Sequence, residues 1–195
     1  MFSRLRKLPL FGLVLLATVA LGACGDSHTK VSTGTYAGES GQNAPYLDVG
    51  PLVYEVQLSR ELNPNDEEDA QYLQGLSAEQ RKLEPGQEWF GVFMQVYNNS
   101  SQPLTAATDV SIADTQENSY IPIFPASSNP YIYKAGTVAA KEHLPIADSI
   151  AFEGPTQGAL LLFKIKTVSL DNRPLTIKIV APDDAAQSAT AELDV

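Results

Sequence analysis

Cysteine occurs once in the 195 residues, at Cys24, and histidine only twice, at His28 and His143. One cysteine leaves no partner for an internal disulfide, and three such side chains in all are too few for a zinc or copper centre built on several sulfur or imidazole ligands. Serine-type hydrolysis needs a nucleophile, a histidine base and an orienting acid. His28 lies in a Gly/Ser-rich stretch, and His143 is expected to face solvent in the proline-bounded loop Lys141-Glu142-His143-Leu144-Pro145. The serine in Gly38-Glu39-Ser40-Gly41 has neither the spacing nor the preceding strand of a nucleophile elbow. Phosphate-cradling glycine loops are absent too, so no cofactor and no metal is expected. Basic residues are also scarce, 13 Lys and Arg against 23 Asp and Glu, for a net charge of −10. That balance argues against nucleic-acid binding, which relies on cations neutralising phosphates. The longest apolar run, 8–21, is 14 residues, short of the roughly 20 that a membrane-spanning helix needs.

What that run does resemble is the core of an export signal. Arg4, Arg6 and Lys7 precede it and small residues follow it. The stretch Leu21-Gly22-Ala23-Cys24 resembles the bacterial lipobox, in which two small residues admit the peptidase and the cysteine carries a thioether-linked diacylglycerol. The competing reading is an ordinary signal peptide cut at the same place, leaving Cys24 a free thiol in an exported protein. Lipidation explains the lone cysteine better. Two acyl chains, at about 0.8 kcal/mol per buried methylene, give durable anchoring where one does not. The expected address is the extracytoplasmic face of the cell membrane, with the membrane as partner through the lipid on Cys24.

Cleavage before Cys24 leaves 172 residues and removes three basic and no acidic groups, taking the charge from −10 to −13. Such a surface opposes adsorption to anionic lipid. A chain of this size buries roughly 70% of its extended surface and stands without disulfides as one domain. The expected organisation is a lipoprotein signal peptide at 1–23, a flexible tether at 24–45 and a folded domain at 46–195. The tether is rich in Gly, Ser and Thr, and 20–25 such residues span roughly 25–30 Å as a coil.

Within 46–195 the dominant signal is alternation. Leu52, Tyr54, Val56 and Leu58 alternate with more polar neighbours and predict a half-buried strand over 52–59. Residues 63–75, with Asn63 as cap, Pro64 in the first turn, early acidic residues and Gly75 as stop, predict a short helix. Ser77 and Gln80 have capping-box spacing for a further turn. The run 88–98, rich in aromatic and branched residues, predicts the central core strand. Strands are expected at 109–113 and 119–124 as a pair, with Pro122 limiting the second, and at 158–168, 175–180 and 190–195. The stretch 125–146 is expected to be irregular with short extended pieces. Strands between turn clusters, without long crossover helices, make this a mainly β chain, an antiparallel sandwich or barrel.

The runs WFGVFMQVYNNSSQPL, ADTQENSYIPI and GALLLFKIKTVSLDNRPLTIKI resemble exported immunoglobulin-like domains of bacterial lipoproteins, similar to a small secreted mycobacterial antigen family. The resemblance covers about half of the mature chain. It implies an antiparallel immunoglobulin-like β-sandwich with one or two short helical insertions, an extracellular setting and no established activity. Immunoglobulin domains bridge their sheets with a disulfide, so Trp89, Phe90, Phe93 and Tyr97 are expected to fill the core in its place. Segments 63–75 and 125–146 depart from the pattern as insertions and are the places to look for function.

Two features of these segments offer binding chemistry. Asp66, Glu67, Glu68 and Asp69 offer oxygens to a calcium ion but lack an EF-hand spacing, and acidic residues favour a first helical turn regardless. Tyr131, Ile132 and Tyr133 form an aromatic loop tip suited either to a partner or to covering the end of the sandwich. The functional expectation is a non-catalytic binding or assembly module of the cell envelope, with an envelope protein or glycan as partner. The alternative is an envelope hydrolase using two of the 23 acidic residues.

Overall fold

A computed structural model describes residues 29–32 and 46–193. Cys24, His28, the signal segment, most of the tether and Val195 lie outside them. Among the described residues, one sheet runs β7 (Ser119–Tyr120), β6 (Asp109–Ala113), β11 (Leu175–Val180), β12 (Ser188–Leu193) and β1 (Thr29–Ser32). The other runs β2 (Tyr46–Val49), β3 (Leu52–Leu62), β4 (Gln87–Tyr97) and β10 (Ala159–Lys166), with β9 (His143–Leu144) continuing beside β4. β5 (Leu104–Thr105) and β8 (Thr137–Val138) form a separate pair. The helices are brief: α1 (Glu67–Tyr72), α2 (Ala78–Arg81), α3 (Ile150–Glu153) and a 3-10 turn over Thr167–Leu170.

The chain passes from β4 to β6 and β7 in the opposite sheet, back to β10, then across again to β11 and β12. This is the immunoglobulin order, with β3, β4 and β10 as strands A, B and E, and β7, β6, β11 and β12 as C′, C, F and G. All pairings are antiparallel within this set, and the mainly β sandwich with short helical insertions is the observed fold. The parallel exception is β1 on β12, Thr29 opposite Ser188 through Ser32 opposite Ala191. The tether expected at 24–45 therefore contains a strand, and the domain gathers chain from before residue 46.

The main core lies between the sheets: Tyr54, Val56, Phe90, Val92, Met94 and Val96 face Val110, Ile112, Ile177 and Ile179. A second, smaller core lies on the outer face of the β3–β4–β10 sheet, where Leu62, Trp89, Phe93, Leu160 and Leu162 meet Tyr72, Leu73 and Leu76. A register shift between Val56 and Leu58 makes the second core possible. One extra residue reverses side-chain parity, so Tyr54 and Val56 point inward while Leu58 and Leu62 point out. Gly91 leaves room there, since a Cβ would stand 3.1 Å from the methyl groups of both Leu62 and Leu160.

These placements correct the expected core. Phe90 lies between the sheets, but Trp89 and Phe93 belong to the outer cluster and Tyr97 is half-buried at the end of β4. Strict alternation along β4 sends odd and even residues to opposite faces. The helix expected from Asn63 begins later: Asp66 is its cap, accepting from the backbone N–H groups of Glu68 and Asp69 at 2.9 and 3.1 Å, while Asn63 closes a preceding turn onto the N–H of Asn65. The capping box of α2 is formed, Ser77 N–H to Gln80 Oε1 at 2.9 Å and Gln80 N–H to Ser77 Oγ at 3.2 Å. β7 is two residues long and stops before Pro122.

Candidate functional site

The two insertions meet over the second core. Asn129, 2% exposed, donates its amide to the carbonyls of Tyr72 and Gln74 at 3.0 and 2.9 Å and accepts from the N–H of Tyr131 at 2.9 Å. The Tyr131 hydroxyl donates to Gln71 Oε1 at 2.8 Å, and Ala126 N–H to the carbonyl of Gly75 at 2.9 Å. Tyr72 stands edge-on to both Phe93 and Tyr131, with centroids 5.0 and 4.9 Å apart. Such contacts contribute about 0.5–1.5 kcal/mol each beyond buried area. The segments 63–75 and 125–146 are thus one unit, pinned by an asparagine that leaves no mark in the sequence, because a polar residue in a Pro-flanked loop carries no periodic signal.

Between α1 and Tyr131 this unit opens a groove of about 520 Å³, lined by Asp66, Glu67, Glu68, Gln71, Tyr131 and Thr156 among others. Its carboxylates are partly committed. Asp66 caps α1, and Glu68 accepts from the Tyr72 hydroxyl at 3.4 Å. Asp69 turns away from solvent, accepting from Arg60 and from the N–H of Asn63 at 2.7 Å. Burial pushes its carboxyl up, but those hydrogen bonds and the Arg60 charge prevail and hold it below the ordinary value. The expectation of four solvated acids at a helix start is therefore corrected at Asp69, a buried carboxylate paired with half-buried Arg60.

The aromatic loop tip is not exposed. Tyr133 is 2% exposed and donates to the carbonyl of Ala107 at 2.8 Å, while Tyr54 accepts from the N–H of Ala107 at 2.7 Å. Ile132 bridges to Leu160, and Tyr131 is half-buried on the groove wall. Of the three, Tyr131 alone borders the groove.

His143 is corrected as well. It is half-buried in β9, opposite Tyr97, with its ring stacked on Phe152 at 4.6 Å. Its Nδ1 donates to the carbonyl of Pro145 at 2.7 Å. The neighbouring Tyr97 hydroxyl donates toward buried Glu55 and Gln95, and burial, then the bond to Glu55 and its charge, push that phenol up. A phenol so disposed stays protonated and serves as a donor. The cluster holds the strand ends together.

The carboxyl raised by its surroundings is Glu88, through burial and then the charge of Glu61. Its Oε1 is buried without a hydrogen-bond partner. It alternates with Trp89 on β4 and so lies on the opposite face of the sheet from the groove.

A second cavity, about 220 Å³ and mainly apolar, lies beside β9, where Ile132, Leu144, Pro145 and Ala159 line it and Ile146 rims it. No helix among the described residues is long and apolar enough to cross a membrane.

No family model matches the chain, and no curated protein does. Solved structures do. The YjhA protein of Bacillus subtilis is 10% identical over 77% of this chain and 97% of its own, with a TM-score of 0.51. YcdA of the same organism, a candidate lipoprotein by its description, is 12% identical, covers 80% of this chain and 39% of its own, and scores 0.45. An uncharacterised β-sandwich protein of Clostridium difficile is 7% identical over 84% and 95% of the two chains, scoring 0.44. At such identities the likeness speaks for the fold alone, and the fold this chain shares with YjhA is the sandwich described above.

Proposed function

We propose that this chain is a lipid-anchored module on the extracytoplasmic face of the cell membrane, attached through Cys24, that binds or assembles an envelope protein or glycan in the groove between α1 and Tyr131. The observation that carries the reading is the union of the two insertions. Residues 63–75 and 125–146 lie far apart in sequence, yet Asn129 fastens one to the other and their side chains share one groove. Segment 63–75 gives no residue to the core between the sheets, whereas 125–146 gives it Tyr133 and Val138. A fixed groove with an aromatic wall, an amide and carboxylates is suited to recognition, because its polar groups are held in place before a partner arrives.

The rival reading, a carboxylate hydrolase, calls for a raised general acid facing a second carboxylate. Glu88 has the raised carboxyl, but it lies across the sheet from the groove. The test is photo-crosslinking in intact cells, with the crosslinker placed at Gln71, half-exposed on the groove wall, and, as control, at exposed Lys178 on β11. The expected result is a discrete adduct from Gln71 and none from Lys178. Equal labelling from both positions would remove the groove from consideration.

A further inference from the structure

Strand β1 changes what the tether can do. Thr29 is paired with Ser188, so between Cys24 and the sheet there are only five Cα-to-Cα steps. At 3.3–3.6 Å each, these reach at most roughly 18 Å. If the lipid on Cys24 is in the bilayer, the end of the sandwich carrying Thr29 cannot stand farther off than that. The same end bears Gly50, whose Cβ position is 3.3 Å from Gln187 Oε1, and the turn joining β11 to β12. It also bears the last residues of β4, since Tyr97 pairs with Val53 at the start of β3.

The largest exposed aliphatic side chains near this end follow β9. His143 lies opposite Tyr97, and Asn98 N–H donates to the carbonyl of Glu142 at 2.9 Å. Ile146, three residues beyond His143, is therefore within roughly 10 Å of the end. It is 66% exposed and Ile150 54%, and Ile146 rims the apolar cavity beside Leu144 and Pro145. Isolated exposed aliphatics are ordinary, but Ile146 on an apolar cleft, with Ile150 between its lining residues Ser149 and Ala151, forms a patch that favours an apolar partner.

We propose that this end of the domain rests on the bilayer and that Ile146 and Ile150 enter its interfacial region. The inference rests on the lipid anchor proposed above. Tether length makes the bilayer, rather than another protein, the occupant: it is the one apolar phase the anchor forces within reach. With a mature charge of −13, electrostatics does not assist, so the contact is hydrophobic and favours zwitterionic over anionic lipid.

A lipidated Cys24 leaves no free thiol, so an introduced cysteine is uniquely labelled. Ile146→Cys and Val168→Cys, the latter exposed in the 3-10 turn at the opposite end, would each carry a nitroxide in the mature protein reconstituted into phosphatidylcholine vesicles. The expected spectrum at 146 is several-fold less accessible to a water-soluble nickel chelate than at 168 and more accessible to oxygen. Protein that floats with vesicles, takes one label per chain and gives equal nickel access at both positions would overturn the orientation while leaving the anchor intact. Two labels per chain and no flotation would overturn both.

Discussion

Asp114 shows how much one side chain can fix. At the turn between β6 and β7 it accepts from the N–H groups of Gln116 and Asn118, both at 2.9 Å, from the Asn118 amide at 2.8 Å and from Ser169 Oγ at 2.7 Å. Burial pushes its carboxyl up, yet the bonds from Ser169, Asn118 and Gln116 outweigh this and hold it well below the usual range. The folded value is lowered, so its contribution is complete above the unfolded value of about 3.9 and is lost as pH falls through the folded one. Asp114→Ala should cost about 3 kcal/mol at neutral pH by denaturant unfolding. Asp114→Asn should flatten the loss of stability below pH 4. Glu88 runs the other way. Its folded value is raised, so the carboxyl favours the folded state at pH below about 4.3 and opposes it as pH rises through the folded value. Glu88→Gln should raise the melting temperature at pH 7 and leave it unchanged at pH 4; no difference at pH 7 would show that the buried oxygen carries no penalty.

At the scale of elements, the helical insertion depends on the second core more than on its own propensity, since a helix of six residues is far below the length that is stable alone. Asn129→Ala removes three hydrogen bonds and leaves two carbonyls without that donor. The expected cost is about 2–3 kcal/mol. Hydrogen exchange should quicken in 67–76 and stay unchanged in β4 and β10. Much of this level was legible in the sequence: period-two patterning located β3, β11 and the later part of β10, the apolar run at 88–98 located β4, and the Ser77–Gln80 spacing located α2. What was not legible depended on pairing. The shift at Val56/Leu58 that sends Leu62 outward is set by register with β4, and the strand at Thr29–Ser32 by an edge that β12 offers, so neither leaves a periodic trace in its own residues.

At the scale of the molecule, a strand in the nominal tether draws the domain toward Cys24, and the two insertions join in a groove beside the outer core of the β3–β4–β10 sheet. The sequence named the insertions as the place to look but could not reveal that Asn129 unites them, nor that His143 is packed against Phe152 rather than open to solvent. Proposed address and orientation both depend on Cys24. Mass spectrometry of the mature protein extracted from membranes tests it directly. The predicted result is an N-terminal peptide beginning at Cys24 and carrying a diacylglyceryl thioether, lost together with membrane association in Cys24→Ser. An unmodified Cys24, or a mature chain that still begins at Met1, would contradict it.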